Sequence, residues 1–304
     1  MSLYTSFAVA GAGPTIGGRI VKALLERGAS VVALARPSST STSSPLLEGA
    51  KIATADYADV KAVASILREH KVEVLISALA YGALPSQSTI ADAAKEAGVK
   101  LFVPSEFGLP TEGGKGGHLV IKSQFAGETF LFCAWFGCKL LNARGIVDYL
   151  KSLSIPSLRF YTGMFIEFIP QFTGVDTGKF LVLGKGEASF STTALDDVAG
   201  FTAHVLTSLP PAKLHDATFR IEGERTSFNK VGALYASKNI PVEHVTSLPE
   251  GYVKQTLLQG LFEKGLGSSG WDNYADKDFP ENANSGNAAW PGHQWKSVKE
   301  VLEL

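Results

Sequence analysis

Short apolar runs alternate with longer helical patterns through the first half of the chain. SFAVAGAG, SVVALAR, KIATAD, VEVLISAL and VKLFVPSEFG are apolar runs of strand length, the pattern of strands packed inside a parallel sheet. Between them, IGGRIVKALLERG, DVKAVASILREHK and TIADAAKEAG carry apolar residues at helical spacing. In the first, Ile16, Ile20 and Leu24 form one stripe and Gly28 closes the helix as a C-terminal cap. Thr89 or Ser88 is the expected N-cap of the third. This alternation predicts an α/β fold with a doubly wound parallel (Rossmann) sheet. SIPSLRFYTGMF predicts a sixth strand entered at Pro156.

Beyond Phe165 the alternation loosens. GKFLVLGKGEASFSTTALDDVAGFTAHVL reads as a strand pair followed by a helix, and ATFRIEGERTSFNKVGALYASKN repeats that theme. The stretch from Gly267 to Gln294 is polar, rich in Gly and Asn, and predicts a surface loop or lid carrying Trp271, Trp290 and His293. Two regions are therefore expected: a core over residues 1–164, and a smaller C-terminal α+β substrate region over 165–304, interleaved with the core.

One interruption breaks the pattern. After a glycine-rich loop from Gly113 to Gly117, in whose approach stands a lone His118, HLVIKSQFA begins a helix that the block GETFLFCAWFGCKLLNAR, Gly127–Arg144, cuts short. Joining Ala126 to Gly145 restores an amphipathic helix in which Ile121, Phe125, Ile146, Val147, Leu150 and Leu153 form one apolar stripe. Three readings of the block stand. It is a translated intron, whose Gly-Glu start and Ala-Arg-Gly end are encodable by intron borders; or a lineage insertion placing Phe130, Phe132, Trp135 and Phe136 over a pocket; or a buried helical hairpin. Sequencing the transcript separates the first from the others.

Composition narrows the function classes. The chain has 304 residues, 45% of them hydrophobic, and a formal net charge of −1, enough for a large core and without the basic excess that draws a protein onto phosphate backbones. No nucleic-acid partner is expected. The start MSLYTSFAVAGAG lacks the features of a signal peptide. The apolar run Phe130–Phe136 is far shorter than the roughly 20 residues of a membrane-spanning helix. No membrane association is expected, and the two cysteines, Cys133 and Cys138, have no metal-ligand spacing. A cytoplasmic protein with free thiols and no bound metal is the expectation.

The candidate chemistry begins where the first strand ends. GAGPTIGG places Gly11, Gly13 and Gly17 at a strand-to-helix turn. Glycine permits the tight turn and lets the backbone approach a pyrophosphate, whose charge the free N–H groups and dipole of the helix start stabilise. Pro14, Thr15 and Ile16 complete the turn, and a proline there lacks only an N–H that had no helical partner. The second strand ends at Arg36, followed by Pro37, Ser38 and Ser39. A cation with hydroxyls suits a ribose 2′-phosphate, where an acidic residue would suit a 2′-hydroxyl. NADPH is thus the expected cofactor. Asp56 after the third strand either faces the adenine or caps the following helix. Tyr57 and Lys61 form the chain's one Tyr-x-x-x-Lys pair, on the adenine side of the sheet, so that spacing is read as coincidence.

Taken together, GAGPTIGG, Arg36, VPSEFG at residues 103–108 and STTALDDVAG at residues 191–200 resemble the NmrA-like, isoflavone-reductase-like branch of atypical short-chain dehydrogenases. That branch includes the pinoresinol-lariciresinol and phenylcoumaran benzylic ether reductases, and the resemblance covers roughly residues 5–225. It implies an NADPH-dependent reductase of a small, aromatic, phenylpropanoid-like substrate. It also implies that Ser105, Glu106 and Phe107 edge the nicotinamide, that Ser77 and Ala78 lie beneath the cofactor, and that Gly163, Met164 and Phe165 form an opposite wall. Thr192, Thr193 and Asp197 are expected to be structural, with Asp197 capping the helix from Val198. A lysine after PSEFG is implied as general acid or base, its pKa brought toward neutrality by desolvation and a neighbouring cation. Counting back from Ile155-Pro156 lands on Ala143 instead. Lys139 is the nearer candidate if the block is real, and Lys122 if it is not. A family regulator that binds the dinucleotide without turnover is the alternative function.

Overall fold

The computed structural model describes residues 2–37, 44–113 and 145–304. They fall into two compact units, the first comprising the described parts of 1–106, 111–159 and 199–218, the second 107–110, 160–198 and 219–304.

The first unit is built on a five-stranded sheet ordered β3-β2-β1-β4-β5, with β1 at Ser6–Ala10, β2 at Ser30–Ala35, β3 at Lys51–Thr54, β4 at Val74–Ser77 and β5 at Leu101–Val103. Every pairing is parallel. The sheet is doubly wound, and its order reverses between β1 and β4, the switch point beside which such sheets bind ligands. Ala8, Ala10, Val32, Leu34 and Leu75 face one buried cluster with α2 (Val60–Glu69), α3 (Ser86–Ala97) and α4 (residues 145–152). The alternate residues Phe7, Val9, Val31 and Ala33 are equally buried, so apolar residues occupy both faces of the strands, as the continuous runs require. Ile146, Val147 and Leu150 of α4 lie in that cluster, in agreement with their place on the predicted stripe. Beyond β5 the chain adds a parallel bridge from Phe102 to Ser157.

Two helix boundaries follow local chemistry. Helix α1 (Ile16–Glu26) ends with Gly28 at φ 75°, whose N–H reaches the Leu25 carbonyl at 2.8 Å, the left-handed closure expected of that glycine. Helix α3 starts at Ser86 behind Pro85 with no side-chain cap. The expected cap at Ser88 or Thr89 is therefore corrected: Ser88 is already helical and its hydroxyl bonds back to the Pro85 carbonyl at 3.2 Å.

The chain continues through β6 at Arg159–Tyr161 into the second unit. There β7 (Met164–Phe165), β9 (Phe190–Thr193) and β11 (Glu224–Thr226) form one sheet, while β8 (Phe180–Leu183) pairs in parallel with β12 (Val242–Val245); β10 is Thr218–Arg220. The expected pair β8 and β9 is thus two strands of different sheets, each partnered far along the chain. Helices α5 (Ile169–Thr173), α7 (Phe228–Ser237), α8 (Val253–Glu263) and α9 (Val298–Val301) belong here. Phe190, Phe228 and Phe262 meet with ring centroids 4.7 to 5.9 Å apart, a packing that gains energy beyond area alone. The stretch expected as a surface loop is partly core: Ser268, Ser269 and Ala283 are fully buried, and it carries the hairpin of β13 (Trp271–Asp272) and β14 (Lys277–Asp278). Its serine hydroxyls bond Ser191 and the Arg225 guanidinium, which is how so polar a segment can be buried.

Candidate functional site

The three glycines of the first turn do three different things. Gly11 sits at φ 85°, and a Cβ there would lie 2.7 Å from the Ala78 carbonyl oxygen. At Gly17 a Cβ would meet the Gly11 carbonyl oxygen at 2.1 Å, whereas at Gly13 it would meet nothing within 4 Å. Gly11 makes the turn, Gly17 lets helix α1 sit on it, and Gly13 leaves open space where a phosphate can approach the backbone. Thr15 precedes the helix with no side-chain cap bond, and no acidic residue stands in the first turn. The N–H groups of Ile16 and Gly17 lie in the part of a helix that has no intrahelical acceptors, with the positive end of the dipole behind them.

This turn forms one end of a cleft of about 220 Å³ within the first unit. Gly11, Gly13, Pro14, Thr15, Arg36 and Ala78 line it, together with Leu47 and Tyr57. Ile16 and Gly17 stand behind the lining, at the helix start. Exposed Arg36 contributes the only cation among the described lining residues. Ser77 ends β4 beside Ala78, fully buried, and its hydroxyl has no hydrogen-bond partner among the described residues. An orphaned buried hydroxyl next to an open glycine cradle fits a site completed by a ligand. Asp56 is not in the lining: its exposed carboxylate accepts the Ala58 N–H at 3.0 Å, while Asp59 caps α2 through the Ala62 N–H at 3.0 Å. Ser38 and Ser39 lie outside the described residues, as do Lys122, Lys139, His118 and the whole of Gly127–Arg144.

Tyr57 is the residue that sequence reasoning set aside. It is 3% exposed; its hydroxyl donates to the Leu34 carbonyl at 2.6 Å and accepts the Gly11 N–H at 3.3 Å. Burial pushes its phenol pKa above the usual value, so it stays a neutral donor across physiological pH. A signal was present: the aromatic lies just past a strand end, with the apolar stripe of α2 immediately after it. Leu47 arrives on the short turn Pro45–Leu47, for which the sequence held no periodic signal.

The PSEFG segment is held by its polar side chains. Ser105 donates its N–H to Gln87 Oε1 at 2.9 Å and its hydroxyl to the Leu79 carbonyl at 2.9 Å. Glu106 is 3% exposed and takes the Thr111 hydroxyl, so the first unit holds this carboxylate in a specific place. In the second unit, Phe107 stacks on Phe160 at 5.7 Å. Gly163, at φ 66°, packs so closely that a Cβ would lie 2.2 Å from the Ser191 oxygen. Met164 and Phe165 pair with Thr192 and Thr193 in β7 and β9.

Thr192 and Thr193 are structural, their hydroxyls bonding the carbonyls of Glu224 at 2.8 Å and Thr162 at 2.9 Å. Asp197 is corrected. Helix α6 (Leu195–Ser208) begins before it, and the Leu195 N–H is taken by the Glu167 carboxylate at 2.9 and 3.1 Å. Asp197 instead accepts from His293 at 3.0 Å and from the Lys296 N–H at 2.8 Å. Its carboxylate is turned toward the late segment because that segment brings donors, while the helix start already has Glu167. Among the described residues no cluster of His, Cys, Asp and Glu could hold a metal ion, and no helix is long and apolar enough to cross a membrane.

Residues 5–126 match the NmrA-like family, and the match ends one residue before Gly127. Oxidoreductase aprR of Aspergillus flavus is 30% identical over 192 residues, which cover 61% of this chain and 58% of that protein, less than two thirds of its length. Leucoanthocyanidin reductase of Vitis vinifera, solved with NADPH, shares the fold with a TM-score of 0.75 at 20% identity over 98% of each chain. AtPrR2, solved with NADP+ and (+)-pinoresinol, does so with a TM-score of 0.75 at 18% identity over 100% of this chain and 99% of its own.

Proposed function

We propose that this chain, whose residues 5–126 match the NmrA-like family, is an isoflavone-reductase-like member of it and an NADPH-dependent reductase of a small, aromatic, phenylpropanoid-like molecule. The observation that carries the cofactor half is the uncapped start of α1, open at Gly13, with the Arg36 guanidinium on the same cleft. Backbone amides and dipole hold the pyrophosphate, and Arg36 forks onto the 2′-phosphate. The bound cofactor supplies a hydride. The chain supplies orientation and a proton, the latter from Lys122 or Lys139. What supports the substrate class is the fold shared with leucoanthocyanidin reductase, isoflavone reductase and AtPrR2 bound to (+)-pinoresinol.

The test pairs titration of NADPH, NADP+ and NADH with NADPH oxidation over a panel of aromatic ketones and enol ethers. Turnover that falls at least a hundredfold in Lys122→Ala or Lys139→Ala is expected. Tight NADPH binding with no turnover in the wild type replaces this reading by the dinucleotide-sensing regulator, which the Ala143 at the family's lysine position favours. Equal affinity for NADPH and NADH removes the role given to Arg36.

A further inference from the structure

We infer that the Tyr57 hydroxyl is a positioning residue for the dinucleotide: it fixes the glycine turn against the end of β2 and so sets the geometry of the pyrophosphate cradle. The inference rests on the cofactor reading above and adds to it a residue outside the glycine motif.

The parallel ladder of β1 and β2 ends at the pair Ala10 and Leu34. One residue further on, Gly11 leaves the strand at φ 85°, and its N–H has no ladder position to fill. The phenol supplies the missing link, accepting that N–H at 3.3 Å while donating to the Leu34 carbonyl at 2.6 Å. The relay continues into the cradle. The Gly11 carbonyl accepts the Gly13 N–H at 2.7 Å, and the Gly13 carbonyl accepts the Gly18 N–H at 2.8 Å in the first turn of α1. A side chain from the segment after β3 thus determines where the turn between β1 and α1 stands, with Arg36 two residues beyond the carbonyl it holds. The hydroxyl is the only part of Tyr57 that can do this. The ring is packed in the apolar cluster beside Leu34 and Val63, a role that phenylalanine would fill equally well.

Removing the oxygen leaves the Gly11 N–H and Leu34 carbonyl without these bonds, and the cradle is free to shift against the strand. The effect should fall on ligands that use the cradle, and spare those that reach only the Arg36 end. Wild type, Tyr57→Phe and Tyr57→Ala are therefore titrated with NADPH and with adenosine 2′-monophosphate, which carries the ribose phosphate and no pyrophosphate. Tyr57→Phe is expected to weaken NADPH about tenfold, which is about 1.4 kcal/mol, while adenosine 2′-monophosphate changes less than twofold. Tyr57→Ala should weaken both.

NADPH binding by Tyr57→Phe within twofold of wild type, or an equal loss for the two ligands, overturns the inference. A wild type that binds no NADPH overturns the cofactor reading itself, and this inference with it. Hydrogen exchange of the Gly11 amide in the cofactor-free wild type decides the matter independently of whether the variants fold. Slow exchange, as for a strand amide, supports the hydroxyl bridge; exchange at the rate of an open loop overturns it.

Discussion

Two helices of this protein begin in opposite ways. At the start of α6 the chain supplies its own anion: Glu167 takes the Leu195 N–H with both carboxylate oxygens, and Asp196 and Asp197 stand in the first turn. At the start of α1 it supplies none, with no capping side chain and no acidic residue in the first turn. Each helix carries the same dipole and the same orphan amides. The difference is that α6 is finished by the protein itself, whereas α1 is open, as the proposed pyrophosphate site requires. The missing cap alone does not set α1 apart, since α3, α5 and α8 also start without a side-chain cap while Asp59 caps α2, Ser227 caps α7 and Ser297 caps α9; what distinguishes α1 is the glycine turn before it, open at Gly13.

The sharpest way to break this contrast is to make α1 resemble α6. Gly13→Asp places a carboxylate in space that is empty in the free protein. It is expected to stabilise the cofactor-free fold by about 0.3–1 kcal/mol and to abolish NADPH binding by more than a hundredfold, read by thermal unfolding and by titration on the same sample. A variant that still binds NADPH would mean that the cradle is not the pyrophosphate site.

The converse change acts on α6. Glu167→Ala strips the Leu195 amide of its acceptor and is expected to destabilise the protein by about 1–2 kcal/mol, measured by urea unfolding, while NADPH affinity stays within twofold. A loss of affinity comparable to the loss of stability would erase the distinction between the two helix starts.

The smallest effect is one of pH. Burial raises the phenol pKa of Tyr57 in the first unit and of Tyr235 in the second. A group whose pKa is higher folded than unfolded contributes stability that is complete below the unfolded value of about 10 and is lost as pH rises through the folded one. Stability should therefore decline in alkaline solution, and Tyr235→Phe should flatten the decline without touching NADPH affinity. An unchanged slope would show that Tyr235 titrates as it does in the unfolded chain.

How much of this could be read from the sequence follows from how local each feature is. Four strands of the first sheet were legible because burial on both faces writes a continuous apolar run, the exposed edge strand β3 because of its place in the strand-helix alternation, and Gly11, Gly13, Gly17 and Arg36 because a strand-to-helix turn needs only near neighbours. The partner of β8 was not legible, since Val242–Val245 pairs with it across α6 and α7, and no local pattern encodes a pairing at that separation. Asp197 was misread for the same reason. An acidic residue in a first turn looks like a cap until Glu167 is seen to occupy that place and His293 and Lys296 to come from the far end of the chain. Tyr57 belonged to a recognisable spacing that pointed to the wrong chemistry. What it does depends on Leu34 and Gly11 being adjacent, a fact of the sheet order rather than of the chain order.

The order in which the two units use the chain bears on how it is made. The second unit draws on residues 160–198 before the first has received its last piece, residues 199–218. On a ribosome delivering the chain from its N-terminus, the first unit waits for a segment that is synthesised after part of its neighbour, and the parallel pairing of β8 must wait longer still for Val245. Such long-range closures slow folding and lengthen the exposure of apolar strands. Any truncation placed between residues 160 and 218 leaves both units incomplete, so a cut there does not divide the chain into two complete units.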